Sequence, residues 1–187
     1  MGARAALLRP LVRRAARAGR RARRRADRRR GRHGAGHAPP GLVVERLDEL
    51  VCHLGLADLT TLVYAVLDPA SRRVAYANAG HLPPIVVAPG RAPALLSGAR
   101  GTPLGAGVGA GGQAIAELPP DGTLLLYTDG LVEERGRSPE EGIERLATIA
   151  GAWDGRDLPA LCDEIVAAVH GDRDRPDDIA LLAVALR

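Results

Sequence analysis

The chain has 187 residues, enough for one domain that buries roughly 70% of the surface its unfolded form exposes. All 26 basic residues are arginine: 14 lie in residues 1–40 with one acid, Asp27, and 12 lie in residues 41–187 with 21 acids, so an acidic domain follows a basic leader. No apolar run approaches the roughly 18 residues of a membrane span, and Cys52 and Cys162 stand alone, which excludes a disulfide scaffold or structural zinc and predicts two buried free thiols in a reducing cytoplasm.

The leader, MGARAALLRPLVRRAARAGRRARRRADRRRGRHGAGHAPP, starts as a short amphipathic stretch and becomes nearly pure arginine. Such a segment is disordered or artefactual on composition, because high charge with little apolar content buries no core. Non-specific contact with nucleic acid and a targeting role are the competing readings. The leader has no aromatic residue to stack on bases and no serine, so neither is favoured.

From residue 41 the pattern changes. GLVVERLDELVCHLG predicts an amphipathic helix with Leu42, Val43, Leu47, Leu50, Val51 and Leu54 on one face, Glu45, Arg46, Asp48 and Glu49 on the solvated one, and a stop at Gly55. Thr60–Leu67 and Arg73–Ala77 read as strands separated by the turn DPAS, and IVVA after HLPP as a third. GARGTPLGAGVGAGGQ reads as loop. Its Gly107, Gly109 and Gly112 match a dinucleotide fingerprint by spacing, but no strand precedes them and no helix follows. QAIAEL and TLLLYT flank PPDG as strand, turn, strand. Helices are predicted over about Pro139–Gly151 and Leu158–His170, and IALLAVAL closes the chain as a buried strand. Strands followed by paired helices predict an α+β layered sandwich.

Within this frame the carboxylates stand out. LLLYTDGLVEE places Asp129 at the end of an apolar strand, and Gly130 lets the backbone turn there. Asp177 and Asp178 sit just before the last strand. If the two strands are neighbours, the three carboxylates converge at one sheet edge, an oxygen-rich arrangement suited to Mg²⁺ or Mn²⁺. Read from spacing alone, a turn or cap role for each aspartate is the favoured reading. His81, after a turn glycine, reads as structural, and Glu133 and Glu134 as solvated.

TLVYAVLDP, YANAGHLPP, GTPLGAGV, LLLYTDGLVEERGRSPEEGIERL and PDDIALLAV occur in this order. Together they resemble the metal-dependent protein phosphatases (protein phosphatase 2C) in their stage II sporulation protein E branch, over residues 41–187. The resemblance implies a four-layer α-β-β-α sandwich holding two Mn²⁺ or Mg²⁺ ions, which hydrolyses phosphoserine and phosphothreonine by in-line attack of water. It implies Asp129 and Asp177 as metal ligands, with Asp178 beside them. Asn78, Gly80, His81 and Gly105, like Gly130, become residues that shape the site's surroundings. Residues 1–40 contain neither the family's Gly-Asp pair, whose aspartate bridges the metals, nor its D-x-x-G-H-G segment. The expectation is therefore a partial sandwich with the N-terminal half missing, weak or inactive as a phosphatase. The implied partner is a phosphoprotein such as an anti-sigma-factor antagonist, met in the cytoplasm, and the alternative is a non-catalytic, pseudophosphatase-like binding module.

Overall fold

The computed structural model describes residues 37–55, 59–107, 111–134, 136–155, 157–170 and 179–186. The leader up to residue 36 lies outside the described residues, as do Asp177 and Asp178. In order, the elements are α1 (Pro40–His53), β1 (Leu62–Asp68), β2 (Arg73–Ala79), β3 (Ile85–Val87), β4 (Ala94–Leu95), β5 (Arg100–Gly101), β6 (Ala114–Glu117), β7 (Thr123–Tyr127), a 3-10 turn (Asp129–Leu131), α2 (Pro139–Gly151), α3 (Leu158–His170) and β8 (Leu181–Ala185). Among the described residues no helix is long and apolar enough to cross a membrane.

The chain divides into two compact units. The first contains residues up to Asp68, Val74–His81 and Gly98–Ile115. Its sheet runs β1-β2-β5, with β6 also pairing β2, and α1 packs on it. Val44, Leu47 and Val51 of α1 meet Ala77, Ala79 and Leu104 in a buried cluster. Each large side chain buried this way contributes about 1.5–3 kcal/mol.

Two sequence expectations are corrected here. Asp48, expected on the solvated face of α1, is buried at 7% exposure, whereas Leu54, expected on the apolar face, is 51% exposed. Val44, Leu47, Asp48 and Val51 follow the i, i+3, i+4, i+7 stripe, so Asp48 lies within it and Leu54 beyond the helix end. The carboxylate is tolerated because the Gly105 N–H donates to its Oδ1 at 2.7 Å. Within the stretch read as loop, Arg100–Gly101 forms a two-residue strand, parallel to β2 with Asn78 opposite Arg100. It is fixed by the Asn78 N–H on the Ala99 carbonyl and the Gly98 N–H on the Tyr76 hydroxyl, contacts that leave no periodic trace in so short a run.

The second unit contains Pro69–Arg73, Leu82–Ser97 and Ala116 onward. Its sheet is antiparallel throughout, in the order β4-β3-β7-β8. Ile85, Val87, Leu125 and Tyr127 line one face and pack with Ile143, Leu146 and Ala150 of α2 and Leu161 and Ile165 of α3. Helix α2 starts on a capping box: Ser138 accepts from the Glu141 N–H, and the Glu141 carboxylate accepts from the Ser138 N–H. QAIAEL and TLLLYT are both strands, but they belong to different sheets. The thiols are not buried as expected: Cys52 is exposed and Cys162 half-buried. Each follows a buried residue, Val51 and Leu161, and so turns off the apolar stripe.

Candidate metal site

Strand β7 is apolar to its last residue, and the chain must then leave the sheet. It does so through the 3-10 turn Asp129–Leu131, closed by Leu131 N–H to Thr128 O at 3.0 Å and Val132 N–H to Asp129 O at 2.8 Å. Leu131 and Val132 are driven into the cluster beneath α2 and α3, while Asp129 stays exposed. Its Oδ1 accepts the Gly130 N–H at 2.9 Å. The apolar residues after the turn thus anchor it, and the carboxylate faces out.

Strands β7 and β8 are neighbours, with Tyr127 opposite Leu181. One step beyond the ladder, the Thr128 N–H donates to Ala180 O at 3.0 Å, and the Ala180 N–H donates to Thr128 Oγ1 at 2.8 Å. The Asp129 turn is therefore pinned to Ala180, three residues after Asp177 in the chain. The condition for convergence of the two sequence sites, adjacency of their strands, is met. The positions of Asp177 and Asp178 themselves fall outside the described residues.

A hard divalent cation takes about six oxygen ligands. Exposed, ending a strand, and with Oδ1 alone engaged among the described residues, Asp129 fits such an ion as one oxygen ligand. Among the described residues no group of three His, Cys, Asp or Glu side chains stands close enough to hold a metal.

The other residues singled out belong to the first unit and are joined there. The Asn78 side chain brackets its turn, accepting the His81 N–H at 2.7 Å and donating to His81 O at 2.9 Å. The His81 Nδ1 lies 3.0 Å from Thr61 Oγ1. Gly80 has a φ of +67°, and a Cβ there would stand 2.6 Å from Pro103 Cδ, so this turn admits only glycine. Pro103 leads to Gly105, held by Asp48. Asn78, Gly80, His81 and Gly105 are thus one turn assembly, and Asp48 is the member that sequence reasoning placed in solvent. A signal was present: Asp48 falls at i+4 from Val44.

Glu134, expected to be solvated, is half-buried, with ion pairs to Arg137 at 2.8 Å and Arg145 at 3.6 Å. Arg145 also donates to Ala168 O at 2.8 Å, tying α2 to the last turn of α3. Burial, reinforced by Asp163, pushes the Cys162 thiol pKa up, away from the thiolate a nucleophile requires.

Three comparisons with solved structures bear on this arrangement. The RsbU and RsbW domains of a Mycobacterium tuberculosis protein share 28% identity and superpose with a TM-score of 0.67, over 76% of this chain and 40% of theirs. The PP2C domain of SiaA from Pseudomonas aeruginosa shares 24% identity at a TM-score of 0.66, over 81% of this chain and 62% of that one. The phosphatase domain of the cell-fate determinant SpoIIE from Bacillus subtilis shares 13% identity at 0.53, over 78% and 65%. The last two likenesses speak for the fold alone, and the chain spans about 40% and 62% of the first two structures. The fold is the α+β fold of PP2C-type phosphatase domains. The sequence model of the stage II sporulation protein E family matches residues 2–187, a range that includes the arginine-rich leader, and the chain belongs to that family.

Proposed function

We propose that this chain is part of a metal-dependent protein serine/threonine phosphatase, acting on a phosphorylated regulatory protein such as an anti-sigma-factor antagonist. The observation that carries this reading is the pinning of the Asp129 turn to Ala180 at the shared end of β7 and β8. In the proposal Asp129, Asp177 and Asp178 supply carboxylate oxygens to Mn²⁺ or Mg²⁺. When bound, such ions polarise a phosphoryl group and ready a water for attack. The contribution of this chain is placement: Leu131 and Val132 lock the turn, Thr128 fixes its distance from the start of β8, and Gly130 steadies one carboxylate oxygen.

The test pairs metal binding with turnover. Mn²⁺ affinity is measured by calorimetry, and release of phosphate from a phosphoserine peptide is followed in parallel. Asp129→Asn is expected to weaken Mn²⁺ binding at least tenfold and to abolish Mn²⁺-stimulated release. Unchanged affinity in that variant removes Asp129 from the site. The alternative is a binding module that docks a phosphoprotein without hydrolysis. Phosphopeptide binding with no phosphate release at saturating Mn²⁺ would establish that alternative.

A further inference from the structure

At the opposite end of β7 from Asp129, roughly 17 Å of strand away, the second unit contains a cavity of about 430 Å³. Its floor is apolar: Val86 and Ala88 run on from β3, Ala94 and Leu96 flank β4, and Leu118 closes the base. Val86, Ala88, Leu96 and Leu118 are each buried, so the floor is set within packed structure. Arg72, Arg91 and Glu117 line the same cavity, with Pro119 and Pro120 as a stiff wall. The volume lies within the range of small-molecule sites, which combine an apolar lining with a few polar groups.

Arg72 adds a second observation. It adopts the left-handed backbone, at φ +51°, and is held there by its carbonyl, which accepts the Leu118 N–H at 2.8 Å. Glycine or asparagine takes this conformation more cheaply than arginine. The strained position nevertheless places Arg72 in the cavity lining, and its side chain has no ion-pair or hydrogen-bond partner among the described residues; the same holds for the Arg91 side chain.

We propose that this cavity binds a small amphipathic anion, an apolar body of a few carbons carrying a carboxylate. The body occupies the apolar floor, and the carboxylate accepts from Arg72 and Arg91, whose planar donors suit it. Glu117 opposes the same charge and sets an upper limit on affinity. The site is separate from the Asp129 turn and does not depend on the phosphatase reading.

The test is calorimetric titration of the full chain with octanoate, octanol and inorganic phosphate at matched concentrations. Saturable one-to-one binding of octanoate alone is expected. Arg72→Gly removes the guanidinium and relaxes the backbone, so it is expected to fold at least as well as the parent while binding octanoate about three- to tenfold more weakly. Arg91→Ala should weaken binding similarly, and Glu117→Gln should tighten it. Octanol or phosphate binding as well as octanoate, equal octanoate affinity in the arginine variants, or no saturable binding would each overturn the proposal.

Discussion

Helix α2 contains a glycine that should behave contrary to helix propensity. Replacing an interior helical glycine by alanine ordinarily stabilises by about 1 kcal/mol. At Gly142, however, an added Cβ would meet the Val132 backbone, with Val132 C at 2.8 Å and Cα at 3.1 Å and the carbonyl oxygen closer still. Val132 is held by its own N–H to Asp129 O and by burial beneath α2, so it cannot give way without disturbing the turn. Overpacking against a fixed backbone costs about 1–3 kcal/mol, and less the propensity gain, Gly142→Ala should destabilise by up to roughly 2 kcal/mol. Trp153, the chain's one tryptophan, packs against the same cluster, so its fluorescence in a urea titration reads this unit directly. Gly41→Ala is the control: its Cβ would meet only ordinary contacts at 3.5 Å, so a neutral or slightly stabilising change is expected there. A Gly142→Ala variant more stable than the parent would refute the close approach of α2 to the Asp129 turn.

Three further outcomes can be read by the same titration. Ser138→Ala removes one arm of the capping box and should cost about 1 kcal/mol; an unchanged midpoint would mean that the cap contributes nothing. Thr123→Val keeps the branched shape while removing a buried hydroxyl that has no hydrogen-bond partner among the described residues, so it should be neutral or stabilising by on the order of 1 kcal/mol. A marked loss would show that the hydroxyl is satisfied after all. Burial raises the pKa of Tyr127, whose hydroxyl donates to Pro83 O at 2.9 Å. Its raised folded pKa makes its contribution whole below the unfolded value of about 10, and that contribution is lost as pH climbs above it, because the unfolded state then releases a proton that the native state keeps. Tyr127→Phe should cost about 1 kcal/mol at neutral pH and flatten this alkaline decline; an identical decline in both proteins would remove Tyr127 as its source.

What the sequence disclosed followed the range of each interaction. Helices α2 and α3 occupy the residues predicted for them, because Ser138 and Glu141 mark a start locally and Ile143, Leu146 and Ala150 mark a face. Asp129 was legible as a site candidate because a charge at the end of an apolar strand is conspicuous at one position. Burial of Asp48 depends on a partner 57 residues away, Gly105, and the half-buried Glu134 on Arg145 in the next helix. The assignment of β6 and β7 to different sheets likewise depends on β2 and β3, which lie far off in the chain. No local pattern encodes such pairings, so charge led to solvent for Glu134, and for Asp48 it outweighed a helical position, i+4 from Val44, that lies on the buried stripe.

The position of Asp129 follows from burial elsewhere on the same strands. In the observed register Leu125 faces Ala183 and Tyr127 faces Leu181, and all four lie on the side packed against α2 and α3. A slip of one residue would turn one strand's apolar set away from the helices, and a slip of two would break both Thr128–Ala180 hydrogen bonds and move Asp129 by roughly 7 Å along β8. The core therefore excludes the first error and Thr128 the second. A carboxylate with no packing role of its own is positioned by side chains that do pack, and its turn is held beside Ala180 by the two Thr128 hydrogen bonds. In the role proposed for Asp129 that preorganisation favours binding, since an ion that first had to order its own turn would bind more weakly.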